Sequence, residues 1–118
     1  GLSVAALENN SGNFIVPTDA SARATLEAVE LPDNLRAFIT NPEGADSYPI
    51  VTYTWMLMYQ DNPDAAKALA LERWIEFGLN EGQDQAEPLG YVRLPDNVRQ
   101  RVAEAADVIS PDYTITLK

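Results

Sequence analysis

Tyr48-Pro49-Ile50-Val51-Thr52-Tyr53-Thr54-Trp55-Met56-Leu57-Met58-Tyr59 is the stretch on which the reading of this chain turns. β-Branched and aromatic residues dominate it, so it predicts a strand. Successive side chains of a strand point to opposite faces. One face then carries Ile50, Thr52, Thr54, Met56 and Met58, and the other Val51, Tyr53, Trp55, Leu57 and Tyr59. Both faces are largely apolar, which predicts an interior strand covered on both sides. Pro49 has no N–H to give a ladder and fits only near the start. Such a strand needs a neighbour along each edge. The rest of the sequence offers poor candidates, so the partner strands are expected from another part of a longer polypeptide. The Tyr, Trp and Met side chains also have the composition of a ligand box. Packing is the simpler account, and it places Trp55 in the core.

On the N-terminal side, residues 3–8 (SVAALE) read as a short strand and Phe14-Ile15-Val16 as its return, closed by Pro17. Asn9-Asn10-Ser11-Gly12-Asn13 between them is dense in turn formers, which predicts a hairpin with a loop of about five residues. Asn9 also heads a formal glycosylation sequon, for which an ordinary turn is the plainer reading. Thr18 can cap a helix through its hydroxyl, with Asp19 favoured in the first turn. Ala22, Leu26 and Val29 give that helix one apolar stripe, and Leu31-Pro32 ends it. Residues 33–39 (DNLRAFI) fit a helical turn or a short strand. Thr40-Asn41-Pro42-Glu43-Gly44 reads as a loop, because proline disfavours helix before it and glycine tolerates positive φ.

On the C-terminal side, Asp61-Asn62-Pro63-Asp64 opens a long helix over about 64–83, with Leu71, Trp74, Ile75, Gly78 and Leu79 on one side and Gly82 as its stop. Trp74 is therefore expected in the core with Trp55. Pro88-Leu89-Gly90-Tyr91 is a break, and Pro95 suits the first position of a third helix. Val98, Val102, Ala105 and Ile109 repeat along that helix, which ends near Ser110-Pro111. Tyr113 to Leu117 alternates large apolar residues with threonine, as an added strand or a free tail would. The sum is an α/β chain, incomplete on its own.

The 118 residues suffice for one ordinary domain, and at 46% apolar they can build a core. The longest apolar run, Tyr48 to Tyr59, falls short of a membrane span of ~20 residues. The chain opens on Gly1 without a visible leader, which reads as a processed chain or a piece of a longer one. Net charge is −10, from 8 Lys+Arg against 18 Asp+Glu. That balance argues against nucleic acid and anionic membranes as partners, both of which need a basic face. A well-solvated surface accounts for the acidity.

Much chemistry is excluded outright. There is no Cys, hence no disulfide, thiolate site or cysteine nucleophile, and no His, hence no imidazole base or imidazole-ligated zinc. No P-loop, dinucleotide glycine pattern or calcium loop occurs. Carboxylates remain: Glu72, Glu76 and Glu81 along the long helix, then Asp84 and Glu87. Paired carboxylates can serve acid–base chemistry, but a solvated helix face explains them more simply. Arg23, Arg36, Arg73, Arg93, Arg99 and Arg101 are the strong anion donors. Arg99 and Arg101 are expected on an exposed helix side, with Glu104 spaced for pairing. No catalytic, cofactor-binding or metal-ligating residue is assigned.

Three stretches, in order, resemble one family. They are Asn13-Phe14-Ile15-Val16-Pro17-Thr18, then Ile39-Thr40-Asn41-Pro42-Glu43-Gly44-Ala45-Asp46-Ser47-Tyr48-Pro49-Ile50-Val51, then Glu81-Gly82-Gln83 followed by Leu89-Gly90-Tyr91-Val92-Arg93-Leu94-Pro95. Together they resemble the C-terminal third of the periplasmic phosphate-binding subunit of the bacterial phosphate ABC transporter. Asp112 to Lys118 lies outside the resemblance.

The resemblance implies a two-lobed periplasmic-binding-protein fold, a mixed sheet flanked by helices. Residues 1–118 would be its C-terminal segment, mostly one lobe. It implies a binding protein rather than an enzyme, without cofactor, in the periplasm or at the outer face of the cytoplasmic membrane. Its implied partners are inorganic phosphate, bound through the complete protein, the membrane permease, and the remaining N-terminal part of the same protein. It also implies that phosphate is held by backbone N–H groups, hydroxyls, one Arg and one carboxylate, all in the part that precedes this segment. No phosphate ligand is therefore assigned within residues 1–118. A stand-alone acidic interaction module derived from a solute-binding lobe is the rival reading.

Overall fold

A computed structural model describes residues 3–118. Strand β1 (Leu7–Glu8) pairs antiparallel with β2 (Phe14–Ile15), Leu7 opposite Ile15 and Glu8 opposite Phe14. The expected hairpin and its five-residue loop are present, although only two residues of the 3–8 stretch enter the ladder. Asn9 organises the loop. Its N–H donates to Asn13 O at 2.8 Å, and its carbonyl accepts from Gly12 N at 2.9 Å. Its buried side chain reaches further, with Nδ2 donating to Gly44 O, Ala45 O and Ser47 O at 2.9–3.1 Å. Oδ1 accepts from Ser11 N and Asn13 N, both at 3.0 Å. This amide is committed to the fold, the structural turn that its place in the loop suggested.

Helix α1 (Asp19–Ala28) starts at the expected cap. Thr18 Oγ1 accepts from Ser21 N at 3.1 Å while Ser21 Oγ accepts from Thr18 N at 3.0 Å, a reciprocal box that satisfies two end donors. Thr25, fully buried, donates to Tyr48 O at 2.8 Å and ties α1 to the next segment. Residues 29–64 form turns and irregular chain without helix or strand, so 33–39 is neither of the two forms considered. Asn41 adopts φ 44°, left-handed rather than the extended form favoured before proline. Gly44 sits at φ 124°, where a Cβ would meet Ser47 Oγ at 2.5 Å, so glycine is required.

Helix α2 (Ala65–Leu79) is capped by Asp64, which accepts from Lys67 N at 3.1 Å. It ends four residues short of expectation. Asn80 N donates to both Glu76 O and Phe77 O, and the chain tightens into 3₁₀ turns at Glu81–Gln85 and Glu87–Leu89. Gly82 lies inside the first of these rather than stopping the α-helix. Gly90, at φ 80°, closes the second. Helix α3 (Asp96–Ala106) follows Pro95, which sits one place earlier than expected, at the cap.

The core lies between α2, α3 and the tail. Ala68, Ile75, Leu79, Ala103, Ala106, Ile109 and Ile115 are buried together, with Met58, Leu71, Leu94, Val102, Tyr113 and Leu117 packed on them. Ala103 and Ala106, rather than Ala105, face α2; short side chains there let the two helices approach. The tail docks without forming a strand: Ile115 is buried and Tyr113 and Leu117 half-buried, while Thr114 and Thr116 face out.

The chain is spread out for its size. Its radius of gyration is 16.3 Å, against roughly 13–14 Å for a compact domain of this length. Its accessible surface is 8013 Å², against about 6,300 Å² for a folded monomer of this mass.

Candidate functional site

The feature that departs most from an ordinary domain is the 48–59 stretch. It is not a strand, and the expected burial on both faces does not occur within this chain. Ile50, Trp55, Met56, Leu57 and Tyr59 are exposed, Leu57 at 97%. A strand exists only as a member of a ladder, and no backbone N–H of residues 50–59 donates to a partner among the described residues. The stretch is held at its ends. Tyr48 N donates to Ser21 O at 3.2 Å, and Met58 packs on the α2–α3 core. Between them Trp55 Nε1 donates to Leu35 O at 2.8 Å, and the Trp55 ring lies 6.3 Å from both Phe38 and Tyr53. Burial pushes the Tyr53 hydroxyl pKa up. Trp55, expected in the core, is thus part of a half-covered aromatic cluster. Trp74, expected there too, is 55% exposed. It lies on the side of α2 away from α3, because Ala68, Glu72, Ile75 and Leu79 form the inward row.

The carboxylates do not converge. Glu72 is fully buried, contrary to the solvated face expected of it. Its Oε1 accepts from Ser110 N at 2.9 Å and joins α2 to the chain after α3, while Oε2 has no partner among the described residues. Glu76 Oε2 accepts from Thr116 N at 3.0 Å, and hydrogen bonding to Glu76 raises the Tyr113 hydroxyl pKa. Glu81 pairs with Lys118 at 2.6 Å, which holds the Glu81 carboxyl below its usual value and the Lys118 ammonium above its own. Asp84 pairs with Arg93 at 2.9 Å, and Glu87 is exposed.

The arginines are equally dispersed. Arg23 pairs with Glu27 at 3.4 Å, Arg36 is exposed, and Arg73 lies over the Tyr113 ring, 5.4 Å from its centre. Arg101 pairs with Asp33 and with Glu104, as its helix spacing predicted for the latter. Arg99 is not the surface residue expected: it is largely covered and clamps the end of α2. Its Nε donates to Leu79 O at 2.7 Å, and Nη2 donates to Asn80 Oδ1 and Lys118 O, each at 3.1 Å. Periodicity alone missed Glu72 and Arg99. The signal for both is their partners in loop and tail backbone, which spacing on one helix does not reveal. Among the described residues no helix is long and apolar enough to cross a membrane.

No family model matches the chain, and no solved structure matches it. Individual relatives do. The phosphate-binding protein PstS of Methanocaldococcus jannaschii is 34% identical over 125 residues, covering 92% of this chain and 31% of the relative. That of Haemophilus influenzae is 31% identical over 96 residues, covering 78% and 28%, and that of Xylella fastidiosa 29% over 103 residues, covering 86% and 28%. The chain spans about a third of the length of these relatives. By sequence it is a relative of one segment of the PstS phosphate-binding proteins, the family its motifs resemble.

Proposed function

We propose that this chain is the C-terminal segment of a two-lobed binding protein that captures inorganic phosphate in the periplasm, or at the outer face of the cytoplasmic membrane, for import through an ABC permease. The observation that carries this reading is similarity over 92% of the chain to about a third of a phosphate-binding protein. The segment's part in it is structural: it builds a share of one lobe and supplies outer surface. The phosphate ligands lie in the rest of the polypeptide. A dehydrated phosphate needs donors converging on nearly every oxygen, because unpaired buried charge is costly. The arginines of this segment serve instead as clamps and surface pairs far apart in the fold. Catalysis forms no part of the proposal.

Calorimetry on the longer polypeptide tests it. Phosphate is expected to bind saturably and in preference to sulfate. Arg36→Ala, Arg73→Ala and Arg93→Ala should each leave the affinity within about twofold, a change of under ~0.5 kcal/mol. Absence of phosphate binding would sink the function. A large loss from any of the three substitutions would place ligands in this segment after all.

A further inference from the structure

The chain after α3 is fastened through side chains. Residues 111–118 make no backbone–backbone hydrogen bond among the described residues. Ile115 N donates to Asp107 Oδ1 at 2.8 Å, and Thr116 N donates to Glu76 Oε2 at 3.0 Å. Both acceptors are half-buried carboxylates, within reach of solvent protons. Neither is paired with a lysine or arginine among the described residues. Asp107 caps the C-terminal end of α3, where the helix dipole disfavours a negative charge. The Ile115 N–H offsets that charge. The other ionisable groups around these contacts are Glu72 and Arg73, which act with Glu76 on the Tyr113 hydroxyl, and Lys118, on which Glu76 and Glu81 act.

The two ends of the segment are held differently. Ser110 N donates to Glu72 Oε1 at 2.9 Å, and Glu72 is fully buried. Lys118 N donates to Asn80 Oδ1 at 2.8 Å, and Lys118 O accepts from Arg99 Nη2 at 3.1 Å. An asparagine amide does not titrate, and an arginine keeps its charge. Asn80 Nδ2 also donates to Thr116 O at 2.8 Å, so the far end stays tethered.

We propose that residues 111–117 form an acid-opened strap over the α2–α3 seam, with Asp107 and Glu76 as its latches and Ser110 and Lys118 as its fixed ends. A hydrogen bond to an ionised acceptor is about twice as strong as one to a neutral acceptor. As pH falls through the carboxyl range, roughly 5 to 3, both latches gain a proton and both bonds weaken. The contribution is present above that range and lost below it. A neutral Asp107 also no longer needs the Ile115 N–H against the end of α3. Opening lifts Ile115 off the α2–α3 core and admits solvent there without parting the helices.

Amide hydrogen exchange of the longer polypeptide tests the strap, with protection at each pH taken relative to the unfolded rate at that pH. Ile115 and Thr116 are expected to lose roughly tenfold in protection between neutral pH and about pH 3, while Ser110, Lys118 and the interior amides of α2 stay within about twofold. Asp107→Asn combined with Glu76→Gln keeps an acceptor oxygen at each place and removes its charge. This double variant should show the acid level of protection already at neutral pH, with little further change on acidification. Unchanged protection of Ile115 and Thr116 across the range in the parent protein would overturn the strap. So would an undiminished acid response in the double variant. Loss at Ser110 and along α2 in step with the tail would overturn it too, because that is acid unfolding of the surrounding fold.

Discussion

Tyr113–Leu117 and Ile50–Tyr59 are both strand-like in sequence, alternating or mixing large apolar residues with threonine, and the fold treats them in opposite ways. The tail finds partners for its backbone on side chains. Ile115 N donates to Asp107 Oδ1, Thr116 N to Glu76 Oε2 and Lys118 N to Asn80 Oδ1, all at 2.8–3.0 Å. Its apolar side chains then enter the α2–α3 core. The 50–59 stretch meets no such donors' partners, and its apolar side chains stay largely in the open. Apolar content alone does not bury a segment. Every buried N–H and C=O must be satisfied, and the segment that finds acceptors on the helices beside it is the one that docks.

The largest expected effect that could break this contrast is local stability. Ile75→Ala removes a core side chain and should lower the opening free energy of α2 by about 2–5 kcal/mol. Leu57→Ala, at 97% exposure, should change it by less than ~0.5 kcal/mol. Native-state hydrogen exchange of the α2 amides measures both, and equal effects would erase the distinction between the two halves.

The next effect concerns what holds the two ends of the docked half together. Glu72→Ala leaves Ser110 N buried without its acceptor, so α2 and the 107–112 stretch should lose about 1–3 kcal/mol of protection together. A loss confined to Ser110 would show that the carboxylate is not the joint between them.

The smallest effect is electrostatic. Lys118–Glu81 is exposed on both sides, so it contributes little. The sign is still defined. Glu81's lowered pKa makes the pair's contribution vanish as pH falls through that lowered value. Lys118's raised pKa makes it vanish as pH rises through the raised one. In Lys118→Ala, a carboxyl NMR titration should find Glu81 shifted back up toward its ordinary value; an unmoved titration would mean that the tail's side chain does not hold the carboxylate.

The sequence by itself determined what is local. The hairpin about Asn9–Asn13, the Thr18 and Asp64 caps, the turn at Gly44 and the break at Gly90 are each fixed by residues a few positions apart, through φ preferences and side-chain acceptors for end donors. The likeness to phosphate-binding proteins was legible for the same reason, in short motifs kept in order. Tertiary structure decided what depends on distant partners. Glu72 is buried because Ser110 N, thirty-eight positions on, needs an acceptor, and Arg99 is a clamp because Leu79, Asn80 and Lys118 converge on it. Trp74 lies outward because α3 docks on the other side of α2. The 48–59 stretch shows the division most sharply: its residues carry the preference for a strand, but a strand is a pairing, and hydrogen-bond partners for both its edges are not a property that one segment can encode.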